Sequence, residues 1–398
     1  MGWRVALIEK EKHPRFHIGE SLLPWNLPIL ERLSVLDEVR KIGVVKNGID
    51  FTVPNGDREI SYAFSNACAP TPPSAFQVRR SEFDEVLLRN AAKHGVEVVE
   101  ETQVTEVDLA QADQVVVDTV GPGGAAARWT ARFLVDASGR DTLLGRALSI
   151  KERHPTHRSA ALFSHFKGVL RPDDARAGNI GIHWFDQGWI WMIPLRDGIT
   201  SVGAVAAPSY FQNTGQDQDE LLLATLSRNA TVAARMGQAG MILPASATGN
   251  FSYICRHMRG QRYMLVGDAF AFVDPVFSSG VYLAMDGAAS AAGAIDAYLR
   301  GSRKGAALFA RHERRIRRAI RNYTWFIERF NEPATKTLFM NPSNILGMQS
   351  AVLARLAGDV HGTSRIWVSL GLYKIIYNCI RLLGPRVKRV PAQSDFSN

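Results

Sequence analysis

The sequence predicts an α/β protein: a doubly wound, Rossmann-like core, an inserted antiparallel sheet and a helical C-terminal region. Short apolar runs at 3–9, 132–136 and 263–268, each ending in an acid, have the composition of buried parallel strands. Residues 158–206 alternate like strands of a second sheet, placed between two strand–turn–helix crossings. From about residue 280 the pattern is helical, with no internal repeat.

In chain order, the strand at 3–9 is followed by a polar, proline-bounded loop at 13–24 and a helix over 26–42, with Pro28 in its first turn. Segments 48–54 and 58–64 alternate as antiparallel strands. Ser81 opens a helix with Asp84 three residues on, and Gly95 closes it. Residues 96–100 return to strand, and 103–136 make a hairpin around Gly121-Pro-Gly-Gly124. Residues 217–239 are helical, 263–268 are strand, and a long alanine-rich helix runs over 280–300. Disorder is expected after Pro391.

A chain of 398 residues, 46% hydrophobic and 21% charged, has core enough for two or three domains and is not disordered. Cys68, Cys255 and Cys379 form no CxxC pair and no disulfide framework, which suits a reducing compartment, the cytoplasm. No metal spacing is present, and neither a secretory leader nor a membrane span is expected. The net charge of +9 is uneven: residues 300–398 carry +13 and residues 1–299 carry −4. The run Arg314-Arg-Ile-Arg-Arg318 has the pattern of a solvated helix face. No nucleic-acid motif with interleaved aromatics accompanies it.

A dinucleotide fold normally opens with strand, G-x-G-x-x-G and helix, whose amides hold a pyrophosphate. Here the first strand has the character of the second one of such a unit, and the expectation is a chain short of that glycine loop. Gly121-Pro-Gly-Gly-Ala-Ala126 fits the motif but leads into another strand, as a hairpin loop would. Glu9, at its strand end, stands where an acid would accept hydrogen bonds from a ribose. Val266-Gly-Asp268-Ala269 offers a second dinucleotide contact, or an ordinary turn with Asp268 as N-cap.

Three strings carry a family resemblance. Phe16-His-Ile-Gly-Glu-Ser-Leu-Leu-Pro24, Trp189-Ile-Trp191-Met-Ile193-Pro194 and the block from Gly267-Asp268 through Asp274-Pro275 to Ser278-Ser279-Gly280 together resemble a flavin-dependent halogenase. More broadly they are similar to FAD-dependent oxidoreductases of the aromatic-hydroxylase fold, over residues 1–300. The resemblance implies an FAD-binding domain in three parts (1–45, 76–150 and 256–300), a substrate domain in two (46–75 and 151–255), and a helical region at 301–398. It implies FAD contacts at Glu9, Glu20, Arg80, Asp136, Gly139, Asp268, Pro275 and Gly280. For Glu20 a loop-anchoring hydrogen bond is the alternative.

The implied chemistry uses FAD reduced by a separate flavin reductase, with oxygen and chloride or bromide, to form hypohalous acid. The acid reaches a lysine beside an activated aromatic ring of phenol or pyrrole type, free or tethered to an acyl or peptidyl carrier protein. Lys46 matches that lysine. Its ammonium would polarise hypohalous acid, or its neutral amine would carry the halogen; a solvent-facing lysine is the plain alternative. Ser278, Ser279 and Gly280 would form an amide nest for halide, or a simple N-cap. Trp189 and Trp191, on one face of a strand, would separate flavin from substrate. An FAD monooxygenase or reductase of the same fold, and a truncated inactive form, are the other readings.

Overall fold

The computed structural model describes residues 2–384 apart from 155–158, 213–214, 216, 250–251 and 363. The expected disorder after Pro391 lies outside the described residues. Two parallel strand pairs form the doubly wound part. Ala6–Ile8 pairs with Glu97–Val99, and Leu134–Asp136 with Tyr263–Leu265. The helix Arg80–Lys93 feeds the first pair, and the helix Gly280–Leu299 follows the second. Met264 and Leu265 are fully buried, as a parallel strand requires. Val135 and Val5, the residue before the first strand, are about half exposed instead, because the two pairs are separate sheets with open edges.

The inserted sheet has eight strands. Gly240–Met241, Ala160–Lys167, Ile199–Ala206, Gly188–Pro194, Ile180–Phe185, Gly48–Thr52 and Glu59–Ala63 lie side by side in that order, and Ser246–Gly249 also pairs with Ala160–Lys167. One pairing departs from the antiparallel expectation: Ile180–Phe185 runs parallel to Gly48–Thr52. These strands come from distant segments, so no hairpin dictates their direction.

Strand alternation divides this sheet into two apolar faces. One carries Phe51, Phe163, Trp184, Trp189, Trp191 and Val205, and packs against the C-terminal helices. The other carries Leu162, Phe166, Ile190, Met192 and Val202, and is covered by the helices Gln218–Leu226 and Ala230–Met236. The second of these begins at Asn229, whose side chain accepts from the Val232 amide and splits the single helix expected over 217–239.

Other local departures have similar causes. The helix expected over 26–42 is broken into Leu27–Arg32 and Leu36–Ile42 by Ser34 in the left-handed region, φ 57°. The third helix starts at Arg80, not Ser81, and has no side-chain cap. Asp84 instead receives the Arg80 guanidinium through both oxygens, at 2.7 and 2.9 Å. Residues 103–131 form a three-stranded meander whose Gly121–Ala125 turn links two strands, as its sequence context indicated.

The C-terminal region consists of the helices Gly305–Arg329, Pro333–Met340, Met348–Leu356 and Ser364–Leu383. The segment Ile366–Leu383 is, by length and composition alone, long and apolar enough to cross a membrane. Ile366, Leu370, Tyr373 and Tyr377 are nonetheless buried, one face of that helix against the protein.

Candidate active site

Lys46 ends the strand Val44–Lys46 and has no solvent exposure. Its ammonium donates to Ser21 Oγ at 2.8 Å and to the Leu22 carbonyl at 3.1 Å, and lies 5.4 Å from the Phe64 ring centroid. The solvent-facing alternative is thus excluded. Burial with no carboxylate beside it lowers its pKa from 10.5 to about 7. Two N–H groups satisfy the two acceptors. What is left uncommitted is a third N–H when the amine is charged and a lone pair when it is neutral.

The strand carrying Lys46 is held close by missing side chains. A Cβ on Gly178 would lie 1.9 Å from the Val45 carbonyl oxygen, so only glycine allows that approach. Gln77 on the partner strand donates to the Gly178 carbonyl at 3.1 Å and closes the other side.

Phe64 belongs to the packed aromatic core on the inner face of the large sheet. Trp189 and Trp191 are both buried there, with ring centroids 6.0 Å apart. Trp191 donates its indole N–H to Ser201 Oγ at 3.2 Å, and Phe330 meets Trp189 edge-on at 6.2 Å. Gly203 makes room for Trp191, since a Cβ there would fall 2.4 Å from its ring.

A second cluster forms where the first loop, the helix Arg80–Lys93 and the helix Gly280–Leu299 converge. Arg80 donates to the Ile18 carbonyl at 2.9 Å beside its pair with Asp84. Gly267 takes φ +54°, and burial pushes the Asp268 carboxyl up to about 6, opposed by the nearby Arg80 and Arg140 guanidinium charges. Asp274 caps the turn Pro275–Phe277 by accepting from the Val276 amide. Ser278 is left-handed at φ 53°, and Ser279 returns to the right-handed region, the alternation that makes an amide nest.

Neither serine caps the helix with its hydroxyl. Ser279 Oγ is buried without a partner, and the Ser279 and Gly280 amides find no acceptor among the described residues. A Cβ on Gly280 would touch nothing within 4 Å. An orphaned hydroxyl, two free amides and open space at the N-terminus of a 20-residue helix fit an anion and the polar edge of a flavin ring.

The remaining candidates are placed less directly. The Asp136 carboxylate is taken up by its own turn, accepting from the Ser138 and Leu144 amides at 2.9 and 2.8 Å, and Gly139 completes that turn at φ +61°. Glu9 accepts from the Glu11 amide at the strand end. Glu20 is buried against His165 Nε2 at 2.9 Å, the loop-anchoring arrangement. Sequence reasoning passed over His165, Ser21, Phe64 and Phe330. Alternation alone places His165 on the face of Phe163, but the partners of Lys46 have no local signal. Among the described residues no group of His, Cys, Asp and Glu could hold a metal.

Glu20→Ala should lower stability by about 1–3 kcal/mol by orphaning the buried imidazole. FAD affinity, followed by flavin fluorescence, should stay within twofold. A tenfold loss would make Glu20 a flavin contact.

Comparison with known proteins identifies the family. The family model described as tryptophan halogenase matches residues 61–339. The 1H-pyrrole-2-carbonyl-[peptidyl-carrier protein] chlorinase of Pseudomonas fluorescens is 27% identical, over 94% of this chain and 88% of that one. The tryptophan 2-halogenase of Chondromyces crocatus is 32% identical over 75% of this chain, and the match spans 58% of its length. Among solved structures, the myxobacterial chondrochloren halogenase superposes with a TM-score of 0.78 at 30% identity, covering 94% of this chain and 92% of that one. A flavoprotein/dehydrogenase from Cytophaga hutchinsonii gives 0.88 at 26% identity, covering 96% and 93%. The chain belongs to the tryptophan halogenase family, the flavin-dependent halogenases.

Proposed function

We propose that this chain halogenates an electron-rich aromatic ring, of phenol or pyrrole type, and that Lys46 delivers the halogen. The observation that carries this reading is a buried amine near neutrality, with one position uncommitted, beside a packed cluster of aromatic side chains. Reduced FAD, when bound, supplies the oxygen activation that turns halide into hypohalous acid. Arg80, Asp268 and Gly280 would hold the cofactor, with Glu9 and the turn at Asp136–Gly139 shaping its nucleotide side and Pro275 fixing the entry to the nest. The Ser278–Gly280 nest would hold chloride or bromide.

Ser21 Oγ and the Leu22 carbonyl fix the Lys46 nitrogen, so its free N–H or lone pair meets hypohalous acid in a dry site. There the charge of an ammonium polarises the halogen more strongly than it would in water. Trp189 and Trp191 exclude water and keep the ring away from the flavin. On this reading a separate flavin reductase supplies the reducing equivalents and the reaction runs in the cytoplasm. The related pyrrolyl-carrier chlorinase acts on a ring tethered to a peptidyl carrier protein, and this reading takes the ring either free or tethered in that way.

The test is product mass. With reduced FAD, oxygen and a free phenol or pyrrole, a halogenated product should form only when chloride or bromide is added. Oxygen insertion in halide-free buffer would instead support a monooxygenase.

A further inference from the structure

The helix Gly305–Arg329 buries Phe309, Ile316, Ile320 and Tyr323 on one side. On another it presents Arg311, Arg314, Arg315, Arg318 and Arg321, at spacings that align them in one stripe. With His361, from the loop between the helices Met348–Leu356 and Ser364–Leu383, they line an open groove of about 500 Å³. Asp286 pairs with Arg315 and accepts from His361 at 3.2 Å, while the Asp359 carboxylate is taken up by the His361 and Gly362 amides. Arg311, Arg314 and Arg321 have no acidic partner there.

The charge is local, because residues 1–299 carry −4 and residues 300–398 carry +13. So many unpaired guanidinium groups in one groove raise the local potential and favour an anionic partner, above all a phosphate that can take bidentate pairs. A nucleic acid is the weaker match. The stripe is only about 15 Å long. Trp367, the aromatic beside it, is covered by Arg318 and Arg355 at 4.1 and 4.4 Å, so no base can stack on it.

The same helix leads to the aromatic core beside Lys46. Phe330, nine residues past Arg321 and so about 14 Å along the axis, packs against Trp189. We propose that the arginine groove is the docking surface for an acidic carrier protein, with the phosphodiester of its prosthetic arm held by Arg311 and Arg314. This rests on the halogenase reading and adds to it where the tethered substrate arrives.

The experiment titrates wild type and an Arg311→Glu/Arg314→Glu variant with a phosphopantetheinylated peptidyl carrier protein loaded with pyrrole-2-carboxylate. Saturable, salt-sensitive binding by wild type, weakened at least tenfold in the variant, is expected. An Arg314→Ala single variant should fall between them. Turnover of a free pyrrole should change less than twofold in the variants, which checks fold and chemistry together. No saturable carrier binding by wild type, equal binding by the variant, an equal fall in free-ring turnover, or tighter binding of a duplex oligonucleotide would each overturn it. Should no protein halogenate either the free ring or the carrier-bound pyrrole, the halogenase reading fails, while the titration still decides the docking.

Discussion

Replacing Lys46 by methionine is expected to abolish halogen transfer and, at pH 7, to stabilise the protein. Both effects come from one fact, an amine buried with two hydrogen-bond acceptors and no counter-charge. Holding its pKa at about 7 rather than 10.5 means that charging it in the folded protein costs on the order of 5 kcal/mol. Methionine fills similar space without that cost. Its loss of two hydrogen bonds returns about 2 kcal/mol, for a net gain of about 3 kcal/mol.

The sign fixes the pH dependence. The folded protein binds the proton more weakly than the unfolded chain, so the penalty is full below pH 7 and falls to zero as pH rises to 10.5. The melting-temperature gap between Lys46→Met and wild type should therefore be widest at pH 7 or below and close progressively above it. A gap that does not change with pH would mean the lysine is not buried as described.

Gly178→Ala should also remove activity, but by destabilising. The added methyl would meet the Val45 carbonyl oxygen at 1.9 Å and a Val44 methyl at 3.0 Å. A backbone atom cannot rotate away, so the strand Val44–Lys46 must move, at a cost of about 2–4 kcal/mol. Lys46 moves with it and loses its geometry to Ser21. Gly240→Ala, whose methyl would meet nothing within 4 Å, is the control and should alter neither melting temperature nor turnover. Wild-type turnover in Gly178→Ala would show that the position of Lys46 tolerates displacement.

Much of this architecture could be read from the sequence, because the patterns are local. The alternation at 158–206, the Trp189/Trp191 pair and the glycine-opened helix at Gly280 each follow from residue types a few positions apart. The partners of Lys46 are different in kind. Ser21 lies 25 residues away, and the burial that lowers the amine comes from several strands at once. The Glu20–His165 bond spans 145 residues and joins the first loop to the large sheet, so neither residue could announce the other. The breaks at Ser34 and Asn229 were missed because apolar periodicity continues across them while the backbone does not.

The most direct test compares wild type and Lys46→Met side by side, with reduced FAD, oxygen, bromide or chloride and a free electron-rich ring. Hypohalous acid is followed with a small-molecule scavenger, and the ring by mass. The account predicts equal hypohalous acid from both proteins and a halogenated ring from wild type alone. A halogenated ring from Lys46→Met at the wild-type rate, or an oxygenated ring without halide, would contradict it.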